Sequence, residues 1–469
     1  MSSPSAPAFA VSAETLLLLA FSYAIGILML MTAGLYDGPL AEPALGLAFG
    51  GLVLLLVLFA RLLAGKSKPS IPFGARAWLL VMLAALVFGL VASFVDRRLL
   101  IDGTIPPRSP IRVVQCLSAP LLGSYVPGLQ FGTHDSPRWR NARFALLAVF
   151  LVVAGANVFA LSPHPRIDTW KVQQAGAAAL LHGQNPYVDV HVQETDGMRS
   201  VIALVYPPTA CYLNAIANAL GGDVRWGLLA ALLVIGVSAR VLCRINEVPA
   251  GSIRPAFLED APALFLWLSP KTLFYLEQGW NDVYPLALVA LSLVAHAYRR
   301  RLACAVMLGL ALSAKQTMVW FVPLAVLLEF DRRQWAAFLG TAAATVAPFI
   351  LADFAAFKHW LFDFYVQYTP RHDALSLSNF FQRHLGTTPH SSPGLFLAAL
   401  CTALALWRAP RTRYAFALSA TLALYAFFLF NIWMFINAYF FCAGFSVIAA
   451  AADAASSGSK TRTSSPVLA

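Results

Sequence analysis

The chain has 469 residues, of which 59% are hydrophobic and only 12% charged, about half the charged fraction of a soluble domain. A soluble protein of this length would divide into domains with charged surfaces, so the composition excludes that class. The net charge of +11 comes from short Arg and Lys clusters between apolar runs, the pattern of cytoplasmic loops and not of a basic nucleic-acid-binding face; no nucleic-acid partner is expected.

Apolar runs follow one another from Thr15 almost to Ala452. In lipid each backbone polar group must be satisfied within its own segment, so these runs should be helices. Their hydrophobicity is continuous, whereas a membrane barrel would alternate. The expectation is an all-α polytopic membrane protein with roughly 12–14 transmembrane helices. The first run, 15–33, reads as a retained span, because no basic residue precedes it and no cleavage site follows. Clusters at Arg61/Lys66/Lys68/Arg76, Arg138/Arg140/Arg143, Arg240/Arg244/Arg254, Arg299/Arg300/Arg301, Arg332/Arg333 and Arg408/Arg411/Arg413, placed together in the cytoplasm, set the path of the chain. Run 79–95 then leaves the cytoplasm, 113–129 returns and 144–161 leaves, which makes 162–202 extracytoplasmic. Run 206–220 breaks the parity. It opens on Tyr206-Pro207-Pro208 and carries Asn214 and Asn218 one turn apart, and it reads as a re-entrant or surface-lying helix on the outer side. Run 228–241 returns, 261–276 leaves and 283–298 returns to the Arg299 cluster. Two short runs flank Lys315 and place it near the outer face. Run 334–351 leaves, 353–392 is an outer loop, 395–407 returns, and two last spans form a hairpin around 431–437. Residues 1–142 read as extra N-terminal transmembrane helices, 143–452 as the main module, and 453–469, Ser-rich with Lys460 and Arg462, as a disordered cytoplasmic tail. The six cysteines lie in or beside apolar runs without metal-ligand spacing and read as packing residues.

Three outer segments concentrate functional groups. The first holds His164, Arg166, Asp168, Trp170 and Lys171, then an Ala-rich helix and His182-Gly183-Gln184-Asn185-Pro186-Tyr187. The second is the turn Glu277-Gln278-Gly279-Trp280-Asn281-Asp282. The third begins with Phe354, Phe357, Leu361, Phe364, Tyr365 and Tyr368 at helical spacing, an amphipathic interfacial helix. It continues through Arg371-His372-Asp373 and Ser378-Asn379. Plain structural roles stand beside functional ones. Asp168 suits a helix N-cap, Asn281 and Asp282 suit a turn, Arg371 and Lys358 suit headgroup anchors, and Lys315 suits a snorkelling lysine. An ionisable group between apolar runs is functional by default, however.

An Asp just after an outward span, an Ala-rich helix, the Leu180–Tyr187 pattern "LLxGxNPY", and a later "YPP" helix start resemble the polyprenyl-phosphate-dependent C-type glycosyltransferases (GT-C), and glycosyltransferase family 87 in particular. The turn at Gln278 and the "LxLSAKQ" of Leu310–Gln316 are also similar to that family, and Ser378-Asn379 resembles its late Asn-Ser element. The resemblance spans about 144–451. It implies a GT-C-like bundle whose extracytoplasmic loops carry the site. It implies a hexosyltransferase, mannose favoured, moving sugar from a polyprenyl-phosphate donor to a glycolipid or glycan acceptor at the outer face of the plasma membrane. Asp168 would be the general base. Lys315, Arg371 and His372, in that order, would face the donor phosphate, and Asn281, Asp282, Gln278, Tyr206 and Asn379 would bind substrate. No Asp-Xaa-Asp lies near Asp168, so neither a metal nor a cofactor is expected, and the partners are donor, acceptor and membrane lipid. The alternative from another class is a transporter or lipid flippase, which would place its ionisable groups nearer the bilayer midplane.

Overall fold

A computed structural model describes residues 8–9, 12–32, 41–65, 75–95, 110–131, 136–193, 201–245, 252–253, 256–367, 374–387, 390–432 and 434–454. Among the described residues the fold is all-helical apart from two pairs of two-residue strands, Ala8–Phe9 with Ser252–Ile253 and Val192–Gln193 with Val201–Ile202. Among the described residues, six helices are long and apolar enough to cross a membrane, and shorter apolar helices accompany them.

The N-terminal third forms α1 (Ala13–Thr32), α2 (Ala41–Leu63), α3 (Ala75–Val95), α4 (Pro110–Gly123), α5 (Val126–Phe131) and α6 (Pro137–Leu161). The run expected as one span over 113–129 is thus two helices, divided at Ser124-Tyr125, where the Ser124 hydroxyl turns back to the Leu121 carbonyl. Helix α6 starts where both local signals agree: Pro137 sits in its first turn and the Ser136 hydroxyl accepts from the Trp139 amide. After it come α7 (Asp168–Leu181), α8 (Pro208–Gly221), α9 (Arg225–Arg244), α10 (Ala256–Trp267), α11 (Thr272–Glu277), α12 (Val283–Ala297) and α13 (Arg301–Leu312). Run 261–276, expected as one outward span, is broken between α10 and α11 at 268–271. Pro270 has no amide hydrogen to continue the ladder, and the Thr272 hydroxyl caps the Leu266 carbonyl at 2.7 Å.

A tight 3-10 turn (Gln316–Trp320), α14 (Phe321–Leu324) and a second 3-10 turn (Ala325–Leu328) follow α13. Arg301, at the start of α13, donates to the Leu328 carbonyl at 2.7 Å. The two arms therefore form a hairpin with its ends side by side and Lys315 at its tip, in extended backbone (φ −155°, ψ 137°). The rest comprises α15 (Arg332–Ala352), α16 (Phe354–Lys358), α17 (Phe364–Gln367), α18 (Leu377–Leu385), α19 (Ser392–Arg408), α20 (Arg413–Leu429) and α21 (Ile436–Ala454). A single π turn over His359–Asp363 joins α16 to α17. It brings residues five apart together, so Lys358 pairs with Asp363 at 2.7 Å.

The core lies around α20 and α21. The apolar stretch of α21 is 94% buried, against 11% for α15. A helix apolar on every side belongs inside, whereas α15 leaves most of its apolar surface for lipid. Helix α1 lies along α21, and α2 packs on α20. Asp453, buried at the end of α21, accepts from the hydroxyls of Thr15 (2.8 Å) and Ser12. The N-terminal helices thus pack into the same core as the later ones.

The bundle has two chemically different ends. At one, Arg140 and Arg244 share the Glu259 carboxylate at 3.1 and 2.9 Å, and Arg240 pairs with Asp260 at 2.7 Å. The other end of α9 carries Arg225, which pairs with Asp223 and donates to the Ser162 carbonyl at 2.8 Å. Helix α8 stays at this second end. Its start is tied to Ser313 beside the hairpin tip (Thr209 amide to Ser313 carbonyl, 3.0 Å), and its last turn to Gln174 of α7 (Gln174 to Asn218, 2.8 Å). Fourteen residues also make only about 21 Å of helix, short of the roughly 30 Å of a hydrocarbon core.

Candidate active site

Asp168 is the first residue of α7, and Ile167 occupies the N-cap without a side-chain bond. The carboxylate accepts from the Thr169 amide at 2.6 Å and the Thr169 hydroxyl at 3.3 Å. A carboxylate in the first helical turn is favoured by the helix dipole. Asp168 is therefore not the cap, and it stays partly exposed. Downstream, Gly183 takes the left-handed backbone (φ +72°) that ends the helix. Asn185 closes a turn onto the Tyr187 amide at 3.1 Å. Tyr187 is then buried, and its hydroxyl donates to the Tyr206 carbonyl at 2.7 Å. The Leu180–Tyr187 pattern thus holds the segment before α8 in place.

That segment is clamped from a second side by the hairpin tip. Gln316 donates to the Val205 carbonyl at 2.8 Å, and the Tyr365 hydroxyl reaches the same oxygen at 3.4 Å. The Thr209 and Ser313 hydroxyls meet at 2.7 Å. The Tyr206 side chain is within reach of the charges of Asp168 and Asp282. Burial pushes its phenol well above the ordinary range, and the nearby charges of Tyr365, Asp168 and Asp282 push the same way, while a hydrogen bond with Thr169 opposes them. Tyr206 is consequently a neutral hydroxyl that can donate or accept.

The turn between α11 and α12 supplies Gln278, Asn281 and Asp282, all 1% exposed. Asp282 binds Lys315 at 2.6 Å through one oxygen. Its other oxygen accepts from Tyr275 at 3.2 Å and Asn437 at 3.3 Å. The Lys315 ammonium also stands 5.7 Å from the Phe441 ring centre, a favourable place for a cation. Gln278 donates to Glu277 at 3.1 Å. The Gln278 side-chain carbonyl and the Asn281 side-chain amide, both buried, have no hydrogen-bond partner among the described residues. Buried amides in native folds are rarely left so, except where a ligand or water is to be bound.

The structure therefore brings Tyr206, Asp282 and Lys315 together beside the helix that starts at Asp168. Asn379 is fully buried, and its amide holds the Ala374 carbonyl at 2.7 Å, inside the turn that leads into α18. Arg371 and His372 lie outside the described residues. Lys315, expected to face the donor phosphate, is paired within the chain with the Asp282 carboxylate. Sequence reasoning did not single out Thr169, Tyr275, Gln316 or Asn437. Gln316 stood inside a noted motif and Asn437 at the edge of the last hairpin, but Tyr275 sits in an apolar run where nothing marks it.

The fold defines a multi-pass membrane protein with a cluster of buried polar groups where α7, α8, α12 and the Lys315 hairpin meet. Residues 204–436 match the model of glycosyltransferase family 87, a family of GT-C polyprenyl-phosphate mannosyltransferases; the chain carries a domain of that family and is a membrane glycosyltransferase. Comparison with curated proteins and with solved structures gave no match. Tyr206, Gln278, Asn281, Asp282, Lys315, Arg371, His372 and Asn379 fall inside the matched residues; Asp168 precedes them.

Proposed function

We propose that this glycosyltransferase moves a hexose, mannose favoured, from a polyprenyl-phosphate sugar to a lipid or glycan acceptor at the extracytoplasmic face of the plasma membrane, with Asp168 as general base. The observation that carries this reading is the meeting of the Asp168 helix, Tyr206 and the Lys315–Asp282 pair in one site. An acceptor hydroxyl attacks the anomeric carbon opposite the phosphate, and Asp168 takes its proton. The bond from the anomeric carbon to the phosphate oxygen breaks, and the electron pair leaves with the polyprenyl phosphate, inverting the centre. Charge accumulates on the departing phosphate, where a fixed cation acts on the transition state. Lys315 is the cation at hand. When it turns toward phosphate, Asp282 keeps two neutral donors in Tyr275 and Asn437. The unpartnered Gln278 and Asn281 groups offer an acceptor and a donor to sugar hydroxyls. The lipid tail of the donor stays in the bilayer, so this chemistry belongs at a membrane surface. Residues 1–142 act in this reading as helices added to the catalytic module, and 453–469 as a cytoplasmic tail.

The test is a proteoliposome assay with labelled polyprenyl-phosphate mannose and a glycolipid acceptor. Wild-type protein consumes the donor and labels the acceptor, which a transporter does not. Asp168→Asn keeps the size and the contact with the Thr169 amide, and is expected to lower turnover at least about 100-fold. An Asn variant that turns over like wild type removes Asp168 from the chemistry.

A further inference from the structure

We infer that Gln173, a residue outside the substrate contacts, is a positioning residue that fixes the Asp168 helix against the turn carrying Asn281 and Asp282. This rests on the reading of Asp168 as base. Gln173 lies on α7, one turn after Asp168, and is fully buried. Its side-chain amide donates to the Thr169 carbonyl of its own helix at 3.2 Å and to the Gly279 carbonyl in the turn. Its side-chain oxygen accepts from Asn214 of α8 at 2.8 Å. Asn214 in turn accepts from the Tyr284 hydroxyl of α12 at 2.7 Å. Asn214 and Tyr284 are 1% and 3% exposed. The chain of bonds thus runs from the base's helix through α8 to the first turn of α12, which Asp282 opens.

Packing alone does not call for this. A leucine would fill the same volume, and a buried amide is costly unless fully bonded. Gln173 is fully bonded, and each bond has a direction. A second, independent observation shows that the contact it makes is unusually close. Gly279 has φ +69°, and a side chain there would meet Trp170 Cβ at 3.1 Å and Trp170 Cα at 3.3 Å. Only glycine lets the turn lie against the first turn of α7. Gln173 then sets the rotation of the turn about that contact. A proton acceptor displaced by about 1 Å loses on the order of 100-fold in rate, so the distance from base to sugar site is what Gln173 holds.

The experiment is steady-state kinetics on Gln173→Leu and Tyr284→Phe, with Asp168→Asn in parallel and folding followed by thermal unfolding in detergent. Gln173→Leu is expected to lower kcat about 30- to 100-fold, with the KM of donor and of acceptor within about 3-fold of wild type. Tyr284→Phe removes one hydroxyl, is isosteric, and should lower kcat about 3- to 10-fold in the same way. Because both act through one chain, the double variant should fall little below Gln173→Leu. A purely structural role would instead reduce the amount of folded protein while each folded molecule keeps its kcat. Folded Gln173→Leu or Tyr284→Phe with wild-type kcat, beside an inactive Asp168→Asn, overturns this inference and leaves the base in place. An active Asp168→Asn overturns both.

Discussion

Lys315 reaches Asp282 from the tip of a hairpin, an ion pair between residues 33 apart in sequence. Removing one member of a buried ion pair costs about 3 kcal/mol or more, because the other charge is left behind. Lys315→Gln therefore conflates two losses: the stabilisation of Asp282 and any contact with donor phosphate. The double variant Lys315→Gln/Asp282→Asn separates them. If Lys315 serves the phosphate, the double variant should regain thermal stability relative to Lys315→Gln while its donor KM stays raised at least about 10-fold, with acceptor KM little changed. Recovery of wild-type donor use in the double variant would reduce Lys315 to a counter-ion. At this scale the sequence was partly legible. An ionisable group between two short apolar runs announced that it needed a partner. The identity of that partner depends on two distant breaks in the chain meeting, and no local pattern encodes such a meeting.

At the scale of elements, apolar runs announced most helices, since length and hydropathy are local properties. Breaks within runs were harder to see. The 268–271 interruption carries its signal in Pro270, but continuous hydrophobicity on both sides masked it. Close approaches were invisible altogether. Gly236 of α9 faces the Trp267 ring of α10, and a Cβ there would lie 2.1 Å from the ring. Trp267 is also pinned by its indole hydrogen bond to the Leu232 carbonyl at 2.8 Å. The ring cannot give way without losing that bond, so Gly236→Ala is expected to destabilise by about 1–3 kcal/mol. The measurement is the thermal unfolding midpoint in detergent; an unchanged midpoint would mean that α9 and α10 can separate at no cost. The amphipathic segment 354–367 was legible as helical. Its π turn was not: Phe357 and Leu361 are buried while Phe362 and Val366 are exposed, which plain helical spacing assigns as well.

For the whole molecule, the segregation of chemistry to two ends matters most. Arg140, Arg240 and Arg244 gather with Glu259 and Asp260 at one end, and the Asp282–Lys315 pair lies at the other. Basic clusters belong in the cytoplasm, so the site end is expected to be extracytoplasmic. Cysteine labelling tests this. Cys116 is exposed, and the other five cysteines are buried. In a Cys116→Ser background, Leu220→Cys, at a position 85% exposed on the last turn of α8, should react with an impermeant reagent from outside, and Ser252→Cys only from the cytoplasm. Reaction of Leu220→Cys only from the cytoplasm and of Ser252→Cys from outside would turn α8 into a crossing, and reaction of both from one side would mean that α9 does not cross; either result would reassign the face of the site. The joint between α1 and α21, through Thr15 and Asp453, has a different kind of consequence. The ribosome delivers α1 long before α21, yet each is the other's neighbour in the core. Throughout synthesis α1 must rest in lipid, or against the insertion machinery, with its polar edge uncovered. The bundle can close only when the later helix arrives, so assembly is postponed to the end of translation and cannot proceed helix by helix.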